Sequence, residues 1–229
     1  MSRIEVRISE QASSDSRNED RVVSYPQEGI LVVADGFGGG DAGKAAVKTA
    51  CEAVREFIVH EGGDRDATLP FVLRSYFSLA GNVLFNAIIH ANRKLLGMNA
   101  GKSVHEKGGA SVVAAYLDNN TLSLASVGAC SAWICREGRF SSLVTPRSWG
   151  RLTQPTAPGS APAGRLPLMA LGISSDLEPE VVEVRIQPGD WIWVGTFDPS
   201  LEQLQAGTTE NSLISGVYSG ERSEVQWRF

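Results

Sequence analysis

The sequence predicts an α+β fold, with antiparallel sheets and with helices packed outside them. A few short apolar strands come first, and two long amphipathic helical patterns follow them. The rest of the chain consists mainly of strands joined by short turns. Strands and helices that are segregated along a chain favour α+β over an alternating parallel fold. We expect one domain over residues 1–229, because no composition break or long linker divides the chain.

Hydrophobic periodicity predicts the elements of the first half. Ile4, Val6 and Ile8 alternate with polar residues, as in a half-buried strand. Apolar residues at steps of three and four then indicate helices, the second of which begins at Pro70 and ends before Gly97. The predicted elements of this half are strands at 3–9, 21–24 and 29–34 and helices at 42–60 and 70–96.

Short turns separate the strands of the second half, which predicts an antiparallel meander with hairpins. The stretch 149–167 is rich in Pro, Gly, Ser and Ala, and we interpret it as an irregular surface excursion. The predicted elements are strands at 111–117, 121–127, 132–136, 140–144, 180–186, 190–196 and 225–229 and a short helix at 200–205.

Composition excludes several classes of partner. The net charge is −5 and no basic stripe is present, so we expect neither nucleic acid nor an anionic membrane surface as a partner. No run approaches the ~20 apolar residues of a membrane span, and the N-terminus does not resemble a signal peptide. The three cysteines have no ligand spacing, which is typical of free thiols in a cytoplasmic protein.

Asp35 is the most informative residue. It follows the apolar run 29–34 and opens the glycine-rich bend 36–43, after which a helical pattern starts. A carboxylate at the mouth of a buried strand is unfavourable unless a group pairs with it, and a bound cation is a common partner. Glu19 and Asp20 supply a second acidic point upstream. The sequence therefore predicts a site for a hard cation with oxygen ligands.

Other interpretations of these residues remain open. Asp35 and Gly36 would also fit a simple turn. Residues 38–44 match the glycine-x4-glycine-lysine core of a phosphate-binding loop, but Ala45 stands where Ser or Thr would hold Mg²⁺. Cys130 and Arg136 have the spacing of cysteine-based phosphatases, although the residues between them resemble a strand. The three histidines stand alone, without metal-ligand spacing.

An ordered set of motifs covers nearly the whole chain. It begins with Asn18-Glu19-Asp20 and the glycine-rich bend around Asp35. The set resembles the metal-dependent protein serine/threonine phosphatases, the PPM or type 2C family. The segments that carry the resemblance are 18–20, 33–39, 42–46, 108–111, 126–133, 170–172 and 188–192.

The resemblance implies a four-layer α-β-β-α sandwich of two antiparallel sheets flanked by helices. It also implies a two-metal site for Mg²⁺ or Mn²⁺, in which the ions activate a bridging water. Asp35 would bridge the metals, and the Gly36 carbonyl would ligate one of them. Glu19 and Asp20 would hold the water shell of that metal, so that Asp35, Glu19 and Asp20 are the predicted catalytic residues.

The chain departs from the family pattern at several positions. Asp15 replaces the Arg that grips substrate phosphate, and Arg17 is the nearby candidate for that role. Ala129 replaces an acidic residue of the central hairpin. Phe197 occupies the position of a ligand to the second metal.

Two acidic residues remain as candidate ligands for the second metal. Asp198 stands one residue late, which on a strand would turn it to the opposite face unless the strand ends or bulges. Glu221 is the candidate for the last ligand. The excursion at 149–167 is shorter than the flap that helps to choose substrates in the family.

Two functions follow from the resemblance and its departures. The first is a metal-dependent phosphatase, of ordinary or weak activity, that hydrolyses phosphoserine or phosphothreonine. The second is a pseudophosphatase that binds a phosphorylated protein or a kinase without hydrolysing it. The substitutions Asp15, Ala129 and Phe197 favour the second, whereas Glu19, Asp20 and Asp35 favour retained metal binding.

Overall fold

Two antiparallel sheets and four α-helices make up the computed structural model, which describes residues 5–11, 19–62, 73–153, 166–209 and 222–229. The strands are β1 (Glu5–Gln11), β2 (Arg21–Tyr25), β3 (Ile30–Phe37), β4 (Gly109–Asp118), β5 (Thr121–Val127), β6 (Ser131–Arg136), β7 (Arg139–Val144), β8 (Glu180–Arg185), β9 (Trp191–Gly195) and β10 (Arg222–Arg228). The helices are α1 (Asp41–Gly62), α2 (Leu79–Asn99), α3 (Trp149–Thr153) and α4 (Leu201–Thr209).

Sheet I has the strand order β2-β3-β4-β5-β8, and α1 and α2 cover its outer face. Alternate residues of its strands, such as Val32 and Val112, face the helices. The apolar stripes of α1 and α2 pack onto them through residues such as Val54 and Ile88. This first core explains the periods of two and of three to four in the sequence.

Sheet II has the order β1-β10-β9-β6-β7 and packs face to face with sheet I. Leu31, Val33 and Val113 of sheet I meet Ile192 and Val194 of sheet II in a second core. On the outer face of sheet II, the cluster Trp193, Phe197 and Leu204 joins β9 to α4. The layers are therefore helix, sheet, sheet and helix, as predicted.

Helix α2 begins later than the sequence predicts. The described residues 73–78 are not helical, and the predicted start at Pro70 lies outside the described residues. Ser78 caps the helix, since its Oγ accepts a hydrogen bond from Gly81 N at 3.1 Å. The Asn82 side chain also bonds the backbone of Arg74, Phe77 and Ser78 and closes the preceding turn. The predicted helix is therefore wrong for residues 73–78, which precede α2.

The end of α2 and the excursion also differ from the prediction. Helix α2 passes through Gly97 and ends at Asn99, whose side chain donates to the carbonyls of Gly108 and Gly172. Within the predicted excursion, α3 forms a short helix. No helix among the described residues is long and apolar enough to cross a membrane.

Candidate functional site

Asp35 lies where β3 leaves the core. Leu31 and Val33 face the core between the sheets, so that Asp35, two residues further on, carries its carboxyl to the end of that face. Residues Ile30 to Ala34 are buried, whereas Asp35 is only partly buried. The strand continues to Phe37 and pairs with β4, so Asp35 is a strand residue and not part of a simple turn.

Asp20 connects the two sheets at this end of the sandwich. It precedes β2 of sheet I, and its Oδ2 accepts a hydrogen bond of 2.8 Å from Thr196 Oγ1. Thr196 follows the end of β9 in sheet II and is 4% exposed. This end of the sandwich, where Asp20, Asp35 and Thr196 lie, is called the cleft below. It combines a carboxylate next to sheet I with a hydroxyl next to sheet II.

A buried thiol lies near both carboxylates. The pKa of Cys130 is raised well above its ordinary value, chiefly by burial and then by the negative charges of Asp35 and Asp20. Both carboxylates are therefore close enough to act on one sulfur atom. Since Cys130 stays a neutral thiol, it does not add a negative charge to the two carboxylates.

Glu19 points in a different direction, toward the start of α1. Its Oε1 accepts a hydrogen bond from Gly40 N, immediately before the first residue of the helix. A helix N-terminus has unpaired N–H groups and a positive partial charge, so a carboxylate stabilises it. The structure thus shows Glu19 as a cap of α1, and its role in a metal's water shell stays a prediction.

Two glycines allow this close approach. A Cβ at Gly43 would overlap the Glu19 carboxylate. A Cβ at Gly36 would lie 2.7 Å from the Glu19 carbonyl oxygen and 2.8 Å from Val47 Cγ1. The glycine-rich bend therefore lets β3, α1 and the segment before β2 pack against one another.

We expect Gly43→Ala to lower the free energy of unfolding by about 1 kcal/mol, because the new methyl group displaces the Glu19 cap. In a Glu19→Ala background the loss should be smaller, because the overlap with the carboxylate is gone and only the 3.2 Å approach of the added Cβ to Phe37 N remains. Thermal or urea unfolding of the four proteins of this cycle measures the difference. Gly97→Ala is the control, since among the described residues no atom outside its own stretch of helix lies within 4 Å of the added Cβ. An equal loss in both backgrounds would contradict the cap.

Phe197 faces away from the carboxylates. It is 4% exposed, and its ring contacts Trp193 edge-on, with 5.1 Å between the centroids. Its carbonyl oxygen accepts a hydrogen bond of 2.5 Å from Ser131 Oγ. Thr196, not Phe197, therefore stands at the cleft next to Asp20.

Asp198 is bonded to helix α3. Its Oδ2 lies 2.7 Å from Arg151 Nη1. Burial raises the pKa of Asp198 above its ordinary value, while the Arg151 guanidinium acts in the opposite direction. Strand β9 has already ended at Gly195, so the face of Asp198 is set by this ion pair and not by strand alternation. Its predicted role as a metal ligand stays a prediction.

Three predicted residues lie outside the described part of the chain: Asp15, Arg17 and Glu221. The roles proposed for Arg17 in phosphate binding and for Glu221 in metal binding therefore stay predictions. Ala129 lies within the described residues and is buried. Its methyl side chain cannot ligate a metal.

The two alternative phosphate sites are not supported. The Gly40 N–H of the glycine-rich bend bonds to Glu19, which places the protein's own anion where a phosphate would bind. Residues 131–136 form strand β6, and Arg136 binds Asp190 through Nε and Nη2 at 2.9 and 2.6 Å. Cys130 and Arg136 therefore do not form the loop of a cysteine-based phosphatase.

A separate cavity of about 460 Å³ lies between α1 and α2 and has His60 and His90 in its wall. His60 Nδ1 lies 2.9 Å from Glu61 Oε1. The pKa of His90 is lowered by burial and by the neighbouring Lys94 and Arg93. Both histidines sit on helices, as their positions in the sequence predict.

The donor set at the cleft suits one hard cation. Asp20 and Asp35 supply carboxylates and Thr196 a hydroxyl at this end of the sandwich, and the role of the Gly36 carbonyl as a ligand stays a prediction. Mg²⁺ keeps several waters and binds proteins through one or two carboxylates, and so these groups fit it. Within the described ranges, no group of three or more His, Cys, Asp or Glu side chains is placed to hold a metal ion. The described residues of this donor set therefore suit one ion, and Glu221, the candidate for a further ligand, lies outside them.

Thr196 is the site residue that the sequence interpretation missed. The signal was present, because Ile192 and Val194 face the core between the sheets and Thr196 continues the same alternation. The family motif places its ligand at Phe197, with Asp198 as the neighbouring candidate.

Solved structures of PPM-type phosphatases share this fold. The Mycobacterium tuberculosis serine/threonine phosphatase PstP/Ppp is 16% identical, with a TM-score of 0.78 over 99% of this chain and 98% of that one. The PPM Ser-Thr phosphatase MsPP from Mycobacterium smegmatis, in complex with cacodylate, is 17% identical, with a TM-score of 0.75 over 98% of each chain.

A third neighbour is the catalytic domain of the phosphatase PstP in complex with two manganese ions. It is 16% identical, with a TM-score of 0.72 over 98% of this chain and 96% of that one. No family model and no curated protein matches the chain in sequence. The predicted resemblance is therefore confirmed for the fold, and activity must be argued from the residues.

Proposed function

We propose that this chain is a phosphatase-like domain that binds one Mg²⁺ or Mn²⁺ ion and recognises a phosphorylated protein, with weak hydrolysis at most. One observation carries this proposal. At the end of β9, the residue that faces Asp20 is Thr196, while Phe197 is buried in an apolar cluster and Asp198 is paired with Arg151.

Each residue of the cleft has a distinct part in this proposal. Asp35 and Asp20 would hold the cation, together with the Gly36 carbonyl. When bound, such an ion neutralises phosphoryl oxygens and supplies a site for water activation. Thr196 holds Asp20 through its hydroxyl and adds no charge. Glu19 keeps the bend in place by capping α1.

Weak turnover follows from the missing carboxylate. Metal-assisted phosphate hydrolysis by two ions needs ligands for both of them. If one ion is lost, several kcal/mol of barrier lowering are lost, at about 1.4 kcal/mol per factor of ten in rate. A phosphorylated serine or threonine, or a kinase that carries one, would then remain bound instead of being turned over.

An active phosphatase of phosphoserine and phosphothreonine is the second candidate. It requires a second ion, for which Asp198 and Glu221 are the candidate ligands. The bond of Asp198 to Arg151 argues against this assignment, because the carboxylate already has a cationic partner.

Calorimetric titration of Mn²⁺, followed by turnover of p-nitrophenyl phosphate at saturating Mn²⁺, separates the two candidates. We expect one ion per chain and a kcat several orders of magnitude below the usual range of about 1–1,000 s⁻¹. Two bound ions with a kcat near 1 s⁻¹ would establish the active phosphatase. A chain that binds no Mn²⁺ would rule out the cation site.

The phosphoprotein part has its own test. A phosphoserine peptide and its unphosphorylated counterpart are titrated into the Mn²⁺-loaded chain. We expect the phosphorylated peptide to bind more tightly, because a cation and Arg17 would attract the dianion. Equal binding of both peptides would reject phosphate recognition.

A further inference from the structure

Ser111 is a buried hydroxyl beside Asp35. It lies on β4 directly opposite Asp35 in the register of sheet I. Ser111 is 0% exposed, and its Oγ has no hydrogen-bond partner among the residues that the structure describes. A buried hydroxyl without a partner is unfavourable in a folded protein, so this one calls for an explanation.

The surrounding backbone leaves room for this hydroxyl. Gly128, at the start of the β5–β6 connection, has a φ of +93°, and a Cβ there would overlap Ser111 Oγ. Ser111 therefore stands between Asp35 and the β5–β6 connection.

The pairing places Ser111 within reach of Asp35. Val33 and Val113, which lie two residues away along each strand, both face the core between the sheets, so Asp35 and Ser111 point to that same face. Directly opposite residues of antiparallel strands have Cβ atoms about 4.5–5.5 Å apart. A serine hydroxyl can donate to a carboxylate across that separation after a change of rotamer.

We propose that Ser111 is a positioning residue of the cation site, which donates a hydrogen bond to the Asp35 carboxylate when the ion is bound. The bond would leave the other carboxylate oxygen to face the cation. Partners of metal ligands typically change metal affinity by about 10–100-fold when they are removed. This inference rests on the proposed cation site and adds the residue that orients its central ligand.

The test combines Mn²⁺ titration with thermal unfolding of the metal-free protein. For Ser111→Ala, we expect Mn²⁺ affinity to fall about tenfold. The metal-free Tm should rise, by about 2 °C, because an unpaired buried hydroxyl is removed. A purely structural serine would not produce these opposite changes.

Ser123→Ala is the matched control. Ser123 is also 0% exposed in sheet I, but its Oγ donates to Glu183 Oε1 at 2.8 Å. Its loss should lower the Tm and leave Mn²⁺ affinity unchanged. Wild-type Mn²⁺ affinity in Ser111→Ala, or a fall in its metal-free Tm, would overturn the role of Ser111 while the cation site stands. A wild-type chain that binds no Mn²⁺ would overturn both proposals.

Discussion

Asp35→Asn is expected to abolish Mn²⁺ binding, with a loss of affinity of at least about 100-fold. The amide keeps the shape of the side chain but removes the charge that a hard cation requires. Asp20 would then be the one carboxylate left in the proposed donor set, and the site would lose half of its negative charge. Calorimetric titration with Mn²⁺ measures the change directly, and any Mn²⁺-dependent turnover should disappear with it.

Asp118→Asn is the control for this variant. Asp118 lies at the other end of β4, seven residues from Ser111, which pairs with Asp35. The variant therefore makes the same chemical change at a position far from the cleft. We expect it to bind Mn²⁺ with wild-type affinity. If Asp35→Asn also retained that affinity, Asp35 would not be a ligand, and the proposed site would have to be abandoned.

Phe197→Asp is expected to lower the free energy of unfolding by at least about 3 kcal/mol. The substitution removes a ring that packs between Trp193 and Leu204, and it puts a carboxylate into that apolar cluster. Urea unfolding measures the loss. Phe197→Leu keeps the cluster apolar and should lose about 1 kcal/mol. A Phe197→Asp protein as stable as Phe197→Leu would show that residue 197 can turn toward the cleft.

Thr196→Asp places a carboxylate at the position that does face Asp20. Without a metal, repulsion between the two carboxylates should destabilise the protein. With Mn²⁺, the added oxygen ligand should tighten binding about tenfold or more. An added acidic ligand should therefore stand at residue 196 and not at 197. Unchanged Mn²⁺ affinity in Thr196→Asp would contradict the position of residue 196 next to Asp20.

The strong periodicities of the sequence predicted antiparallel sheets with helices packed outside them, and the four-layer order was implied by the family resemblance. Alternation along β3, β4 and β9 and the stripes of α1 and α2 determine which faces are buried. The start of α2 was harder to place, because Pro70 carries a favourable helix-start signal. The residue that caps the helix is Ser78, and the hydrogen bond from Asn82 that holds Ser78 in place could not be predicted from the sequence.

The candidate site was predictable in part. Asp35 and Asp20 could be found because carboxylates stand at the ends of apolar strands, and the structure brings both close to Cys130. The role of Glu19 as a cap could not be derived from spacing, since the direction of a side chain depends on tertiary packing. The same limit applied to Asp198, whose partner Arg151 is distant in sequence.

Glu19 and Asp20 are adjacent in the chain but are attached to opposite sides of the molecule. The first is tied to the start of α1 and the second to Thr196 of sheet II. A single peptide unit thus connects a residue bonded to the outer helical layer with a residue bonded to the far sheet. A ligand that drew Asp20 away from Thr196 would therefore also pull on Glu19 at the start of α1.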